Sequence, residues 1–202
     1  MSEARNLILA VTGASGAIYA AEMLRALDQD ARVEKIHLVV STSALRVLSE
    51  ELGLSGRANL AEKLLGAPSA KSEKIEQHGV DDIGASIASG SYPTSGMIVL
   101  PCSMGTLAGI ANGMAANLIE RAADVCLKER RPLILCVRET PFNRIHLRNM
   151  LLADEAGAII FPAIPTLYNK PQTTAEMAHQ FVQRVLAHIG LLQPGAYQWK
   201  GD

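Results

Sequence analysis

Between Glu120 and Phe142 the chain reads ERAADVCLKERRPLILCVRETPF, and several of these side chains suit anion chemistry. Arg121, Asp124 and Lys128 recur at helical spacing, and Arg138 and Glu139 follow directly on the apolar run Leu133 to Val137. A fixed guanidinium beside a carboxylate suits phosphate recognition coupled to proton transfer. The same residues would equally make an ion pair. Arg121, Asp124 and Lys128 would then be a solvated, salt-bridged helix face worth little energy.

Thr12-Gly13-Ala14-Ser15-Gly16-Ala17 separates a first apolar run from a first helical pattern. Free backbone N–H groups and the helix dipole at such a place favour a phosphate, although a tight turn without ligand has the same composition. The segment lacks the GxGxxG spacing of dinucleotide sites and the Gly-Lys-Ser/Thr of a P-loop, which disfavours a nicotinamide cofactor and ATP. Ser41 ends a second strand, where its hydroxyl would bond a ligand or cap the next helix. Pro101-Cys102-Ser103-Met104-Gly105-Thr106 ends a third strand and offers small side chains and backbone donors. Ala88-Ser89-Gly90-Ser91 has the composition of a loop that a ligand can approach closely.

Glu50 and Glu51 close a helix at its negative end, so the pair is either a frayed exposed terminus or a carboxylate with a raised pKa. Tyr168 sits in a loop framed by Pro162, Pro165 and Pro171, and Arg184 follows on the last helix. Together these two would bind an anion, or each would pack its body and wet its tip. His37, His78, His146, His179 and His188 show no metal-ligand spacing and read as surface or helix residues. Cys102, Cys126 and Cys136 lack CxxC spacing and read as thiols, with no zinc site.

These residues need a frame. Short apolar runs alternate with helical patterns: Leu7 to Val11 with Ile18 to Leu27, Val33 to Val40 with Thr42 to Leu52, and Met97 to Leu100 with Thr106 to Ile110. Leu133 to Val137 then pairs with His146 to Glu155, and Ala158 to Phe161 with Thr174 to Leu191. A further helix runs from Ala115 with apolar positions 115, 118, 119, 122 and 126. Residues 53 to 95 break the rhythm, with a small helix at Leu60 to Leu65 and a strand near Ile75. The pattern predicts an α/β fold, a single-domain Rossmann-like parallel sheet with helices on both faces. Ligands of such sheets bind beyond the carboxyl ends of the strands. The domain spans 1–192, and 193–202 is a tail whose Tyr197 and Trp199 either dock onto a neighbour or are disordered.

With 202 residues the chain can bury a core unaided, and 49% hydrophobic against 19% charged residues predicts apolar surface shared between subunits. A net charge of -1 without a basic run argues against nucleic acid and anionic membrane surfaces. The apolar N-terminal run is too short for a membrane span and has no cleavage site, so the expected location is cytoplasmic.

TGASGA at 12–17, Ser41 followed by Glu51, ASGS at 88–91, PCSMGTL at 101–107, LIERAADVCLKERRPLIL at 118–135, RETPF at 138–142 and LYNKPQ at 167–172 resemble the UbiX-type flavin prenyltransferases. These belong to a homo-oligomeric FMN-binding superfamily that also contains cysteine-peptide decarboxylases, and the likeness spans nearly the whole chain. The resemblance implies reduced FMN held by Gly13, Ala14, Ser15, Ser41, Cys102, Ser103, Met104, Gly105 and Arg138. It further implies dimethylallyl phosphate held by Lys128, Tyr168 and Arg184, with Ser89 and Gly90 beside it. Glu51, Glu139, Lys128, Arg121 and Ser15 would surround the reacting groups, with Glu51 managing a proton and no metal required. The dimethylallyl group would be joined to N5 and C6 of FMN. The product, prenylated FMN, would serve a UbiD-type decarboxylase in ubiquinone synthesis or aromatic-acid breakdown. The implied assembly is a dodecamer with sites between subunits. Two alternatives are an FMN-dependent cysteine-peptide decarboxylase and a non-catalytic flavin carrier. The sister decarboxylases share the look of residues 108–118, but their substrate signatures are missing.

Overall fold

A computed structural model of the chain describes residues 5–66 and 72–197; Trp199 lies outside the described residues. Six parallel strands form one sheet in the order β3-β2-β1-β4-β5-β6. They are β1 (Arg5–Val11), β2 (Val33–Val40), β3 (Ile75–His78), β4 (Gly96–Cys102), β5 (Leu133–Val137) and β6 (Ile159–Ile160). The four central strands are nearly continuous apolar runs, as a sheet buried on both faces requires.

Alternation along the strands sorts the core into two layers. Leu7, Leu9, Leu38, Ile98, Leu100 and Ile134 pack on one face against α1 (Ala17–Gln29), α2 (Thr42–Leu52), α3 (Leu60–Leu65) and α7 (Thr174–His188). Ile8, Ala10, Val39, Met97, Val99 and Leu135 pack on the other against α4 (Met104–Ala111) and α5 (Leu118–Lys128). The expected Rossmann-like architecture is the one observed. Its strand order reverses between β1 and β4, which opens a crevice beyond their carboxyl ends.

Element ends differ from the periodicity in local ways. Helix α5 starts at Leu118 rather than Ala115 because Asn117 stands outside it as the N-cap, its side chain accepting from the Glu120 N–H at 3.1 Å. Asn117 therefore belongs to no helix face. Helix α7 stops at His188, and Gly190 then adopts a left-handed φ of 77°. Strand β6 keeps only two residues of the expected Ala158 to Phe161. The remaining helix, α6 (Arg144–Glu155), is capped by Asn143 and leaves Ile145, Leu147 and Leu151 each more than half exposed, Leu147 and Leu151 one turn apart on one face, beside the exposed Phe142. Among the described residues no helix is long and apolar enough to cross a membrane.

Candidate functional site

At the crevice, Thr12 ties the two central strands together. Its buried hydroxyl donates to the Pro101 carbonyl and accepts from the Ser103 N–H, both at 2.8 Å. Gly13 follows, where an added Cβ would collide with the side chain of Ser43 at the start of α2. Only glycine lets the β1–α1 turn and α2 approach this closely. Ser15 stands at the tip of the turn.

The backbone donors at the start of α1 are taken by Glu51. Its carboxylate accepts from the Gly16 N–H at 3.0 Å and from the Ala17 N–H at 2.7 Å. Glu51 thus leaves the negative end of α2 to cap the positive end of α1, which explains its placement. A phosphate cradle of free N–H groups is not what these two amides form. Burial raises the Glu51 pKa, but the Ser15 hydroxyl, the two N–H groups and the nearby Arg138 guanidinium outweigh it and hold the carboxyl below its ordinary value. Of the two readings of this helix end, neither holds for Glu51: it is bonded rather than frayed, and its pKa is lowered rather than raised. Glu50 points elsewhere, bonding Arg46 at 2.8 Å in the open.

Arg138 joins the same group from β5. Its N–H donates to the Cys102 carbonyl at 3.1 Å, and its Nε donates to the Ser15 carbonyl at 3.1 Å. Among the described residues its terminal nitrogens have no hydrogen-bond partner. Ser41 caps α2 by accepting from the Ala44 N–H at 3.1 Å and lies 3.1 Å from the Ser43 hydroxyl. Ser103 caps α4 in the same way through Thr106, with Gly105 exposed beside it. The Cys102 and Met104 side chains are buried, so this turn offers a ligand its backbone. Burial pushes the Cys102 and Cys126 thiols up to about 12 and the Cys136 thiol well up. All three cysteines are free and buried, as expected of thiols. Glu139 is exposed just beyond, one oxygen accepting from the Thr140 N–H at 2.9 Å.

A second group forms along α5. Gly90 lies against Lys128 and Glu129, which pair with each other, and a Cβ on Gly90 would strike both. Arg121 bonds Asp124 at 3.1 Å, as the salt-bridged reading of that face requires, and its Nε donates to the Ala88 carbonyl at 3.1 Å. Arg131, which sequence reasoning passed over, donates to the carbonyls of Gly90 at 2.6 Å and Tyr92 at 2.8 Å. The Ser89 and Ser91 hydroxyls are 2.9 Å apart. Two arginines thus hold the 88–92 loop, and Lys128 with Glu129 packs against it at Gly90.

Lys128 and Arg138 are not brought together within one chain. Strand β5 runs between them, and its five residues at about 3.3 Å each put roughly 16 Å of sheet between the two groups. A third group, Tyr168 and Arg184, lines a cavity of about 640 Å³ with Asn169, Gln183 and Tyr197. Neither Lys128 nor Arg138 lines it.

Two histidines contradict the surface reading. His37 on β2 and His78 on β3 are buried, with His37 Nδ1 2.9 Å from His78 Nε2 and the Tyr92 hydroxyl 3.1 Å from His37 Nε2. Burial first, then the neighbouring His78, lowers the His37 pKa to about 4, and burial lowers that of His78. Adjacent strands and parallel register set Glu76 beside them, a proximity that no spacing along the chain reveals.

The family model described as Flavoprotein matches residues 1–189. Flavin prenyltransferase UbiX of Salmonella typhimurium is 44% identical over 199 residues, covering 98% of this chain and 99% of the relative. The crystal structure of AnUbiX (PadA1) in complex with FMN and dimethylallyl pyrophosphate superposes with a TM-score of 0.86 at 40% identity, covering 98% of each chain. A dodecameric FMN-dependent UbiX-like decarboxylase from Escherichia coli O157:H7 gives 0.85 at 42% identity, covering 97% of this chain and all of that one. With its strand-end crevice and end-to-end likeness to these proteins, the chain belongs to the flavoprotein family, among the UbiX flavin prenyltransferases.

Proposed function

We propose that the chain joins the dimethylallyl group of dimethylallyl phosphate to reduced FMN, making prenylated FMN for a UbiD-type decarboxylase. The observation that carries this reading is Arg138 stretched across the switch point to the Ser15 carbonyl, its outer nitrogens left for an anionic ligand. The crevice fits a flavin, since Gly13 lets the β1–α1 turn close onto Ser43 of α2 and the Cys102–Gly105 turn presents backbone. Gly13, Ala14, Ser15, Ser41, that turn and Arg138 would hold FMN. Bound FMN supplies the nucleophilic positions N5 and C6.

The chain's own residues do the rest. Departure of phosphate from an allylic ester leaves an anion, and Lys128 and Arg184, with Tyr168, bind it as charge develops. Arg121, bonded to Ala88, holds the loop carrying Ser89 and Gly90 against Lys128. Glu51, kept ionised, engages the Ser15 hydroxyl and the first N–H groups of α1 rather than storing a proton. Glu139, with one oxygen engaged only by its neighbour's N–H, is the carboxylate placed to accept one.

The separation of Lys128 from Arg138 supports sites completed by a second copy, as do the exposed apolar side chains of α6. The assembly is a homo-oligomer, a dodecamer by analogy with the E. coli neighbour. Three buried free thiols suit a reducing, cytoplasmic setting. Anaerobic incubation with reduced FMN and dimethylallyl phosphate is expected to give a flavin heavier by one prenyl unit. An unchanged flavin mass rejects the reading, and carbon dioxide release from a cysteinyl peptide would establish the decarboxylase alternative.

A further inference from the structure

The His37–His78 pair lies outside the groups assigned to the reaction, and its geometry asks for an occupant. His37 Nδ1 and His78 Nε2 face each other at 2.9 Å, and a single proton is all a neutral pair can place between them. The Glu76 carboxylate faces the same gap without closing a hydrogen bond: one oxygen is 3.8 Å from His78 Nε2 and the other 4.0 Å from His37 Nδ1. The three ligand atoms all lie within 4.8 Å of one another.

We infer that His37, Glu76 and His78 form a binding site for a divalent transition metal ion of the zinc type, which staples edge strand β3 to β2. Two imidazoles and one carboxylate are a donor set that zinc accepts, leaving a fourth position for water. A tetrahedral ion with bonds of about 2.0–2.1 Å holds its ligand atoms roughly 3.3–3.4 Å apart. The observed 2.9 Å between the two imidazole nitrogens and 3.8 Å from His78 Nε2 to Glu76 Oε1 straddle that separation, so small side-chain rotations suffice.

The surroundings are built to match. With Nδ1 on the metal, His37 donates its Nε2–H to the Tyr92 hydroxyl, the outer hydrogen bond that orients a ligating histidine. Lys35 lies 3.2 Å from Glu76 Oε2, which leaves Oε1 as a monodentate ligand. The ammonium charge opposes the ion and keeps its affinity moderate. Glu76 is half exposed whereas His37 is fully buried, so ions enter from the Glu76 side. Such an ion has no part in prenyl transfer. It fixes a four-residue strand and, through Tyr92, the loop that Arg131 also holds.

The test is calorimetric titration of the chelator-treated full-length protein with zinc chloride, with cobalt(II) as a spectroscopic stand-in. One ion per chain is expected, together with visible cobalt bands of a four- or five-coordinate site. His78→Gln and Glu76→Gln should each abolish stoichiometric binding, and Tyr92→Phe should weaken it about 10–100-fold. Glu76, half exposed, keeps the test valid if His78→Gln proves unstable, and far-ultraviolet circular dichroism verifies folding of each variant. Absence of saturable binding, or one-to-one binding that persists undiminished in Glu76→Gln, overturns the proposal.

Discussion

At the scale of single residues, the crevice rests on two side chains whose importance comes from their partners. Thr12 bonds Pro101 and Ser103 at once while buried, so Thr12→Val leaves the Ser103 N–H unsatisfied and the Pro101 carbonyl with only the backbone N–H of residue 12. The expected loss is about 1–3 kcal/mol in denaturant titration, with weaker FMN binding as the β1 and β4 ends part. Glu51 has a folded-state pKa below its unfolded one, so its contribution is whole above the ordinary glutamate range and is lost as pH falls through the folded value. Glu51→Gln should therefore flatten the acid limb of a melting temperature against pH profile. A variant whose acid limb matched the parent would show the carboxylate to be unimportant there. Neither role could be read from residue type. Glu51 looked misplaced at a helix end because the α1 terminus it serves is 34 residues away, and Thr12 looked like one more turn residue.

At the scale of elements, the strands and helices were legible because each central strand is buried on both faces and writes an unbroken apolar run. Strand order follows less directly, yet Gly13 and the strand-end hydroxyls pointed to the right edge of the sheet. What stayed hidden depends on register between strands, as with His37 and Glu76, or on loops clamped from afar, as with Arg131. Caps were read only in part: the apolar periodicity carried the helix back to Ala115, whereas Asn117 caps α5 at Leu118. Asn117→Ala is expected to cost about 1 kcal/mol, measured by chemical denaturation, because the Glu120 N–H loses its acceptor. Since α5 carries Arg121 and Lys128, the same variant should loosen the 88–92 loop, seen as faster amide exchange there.

At the scale of the whole molecule, the nominated residues fall into groups, and within one chain β5 lies between those of Lys128 and Arg138. Lys128→Ala and Arg138→Ala should each be inactive alone. Co-refolded, they should regain activity at about a quarter of sites if each site draws Lys128 from one copy and Arg138 from another, since random pairing rebuilds that fraction. No recovery would place both residues of every site in a single chain. The likeness to a known family reached this level sooner than composition did, because an assembly's sites are distributed over surfaces that no single segment describes.

The exposed apolar side chains Ile145, Leu147 and Leu151 of α6 tie folding to the law of mass action. A chain that finishes its core only against its neighbours gains stability with the logarithm of its own concentration. Its melting temperature should climb with each tenfold rise in protein. Leu147→Lys and Leu151→Lys together should remove that climb and leave a smaller species in sedimentation.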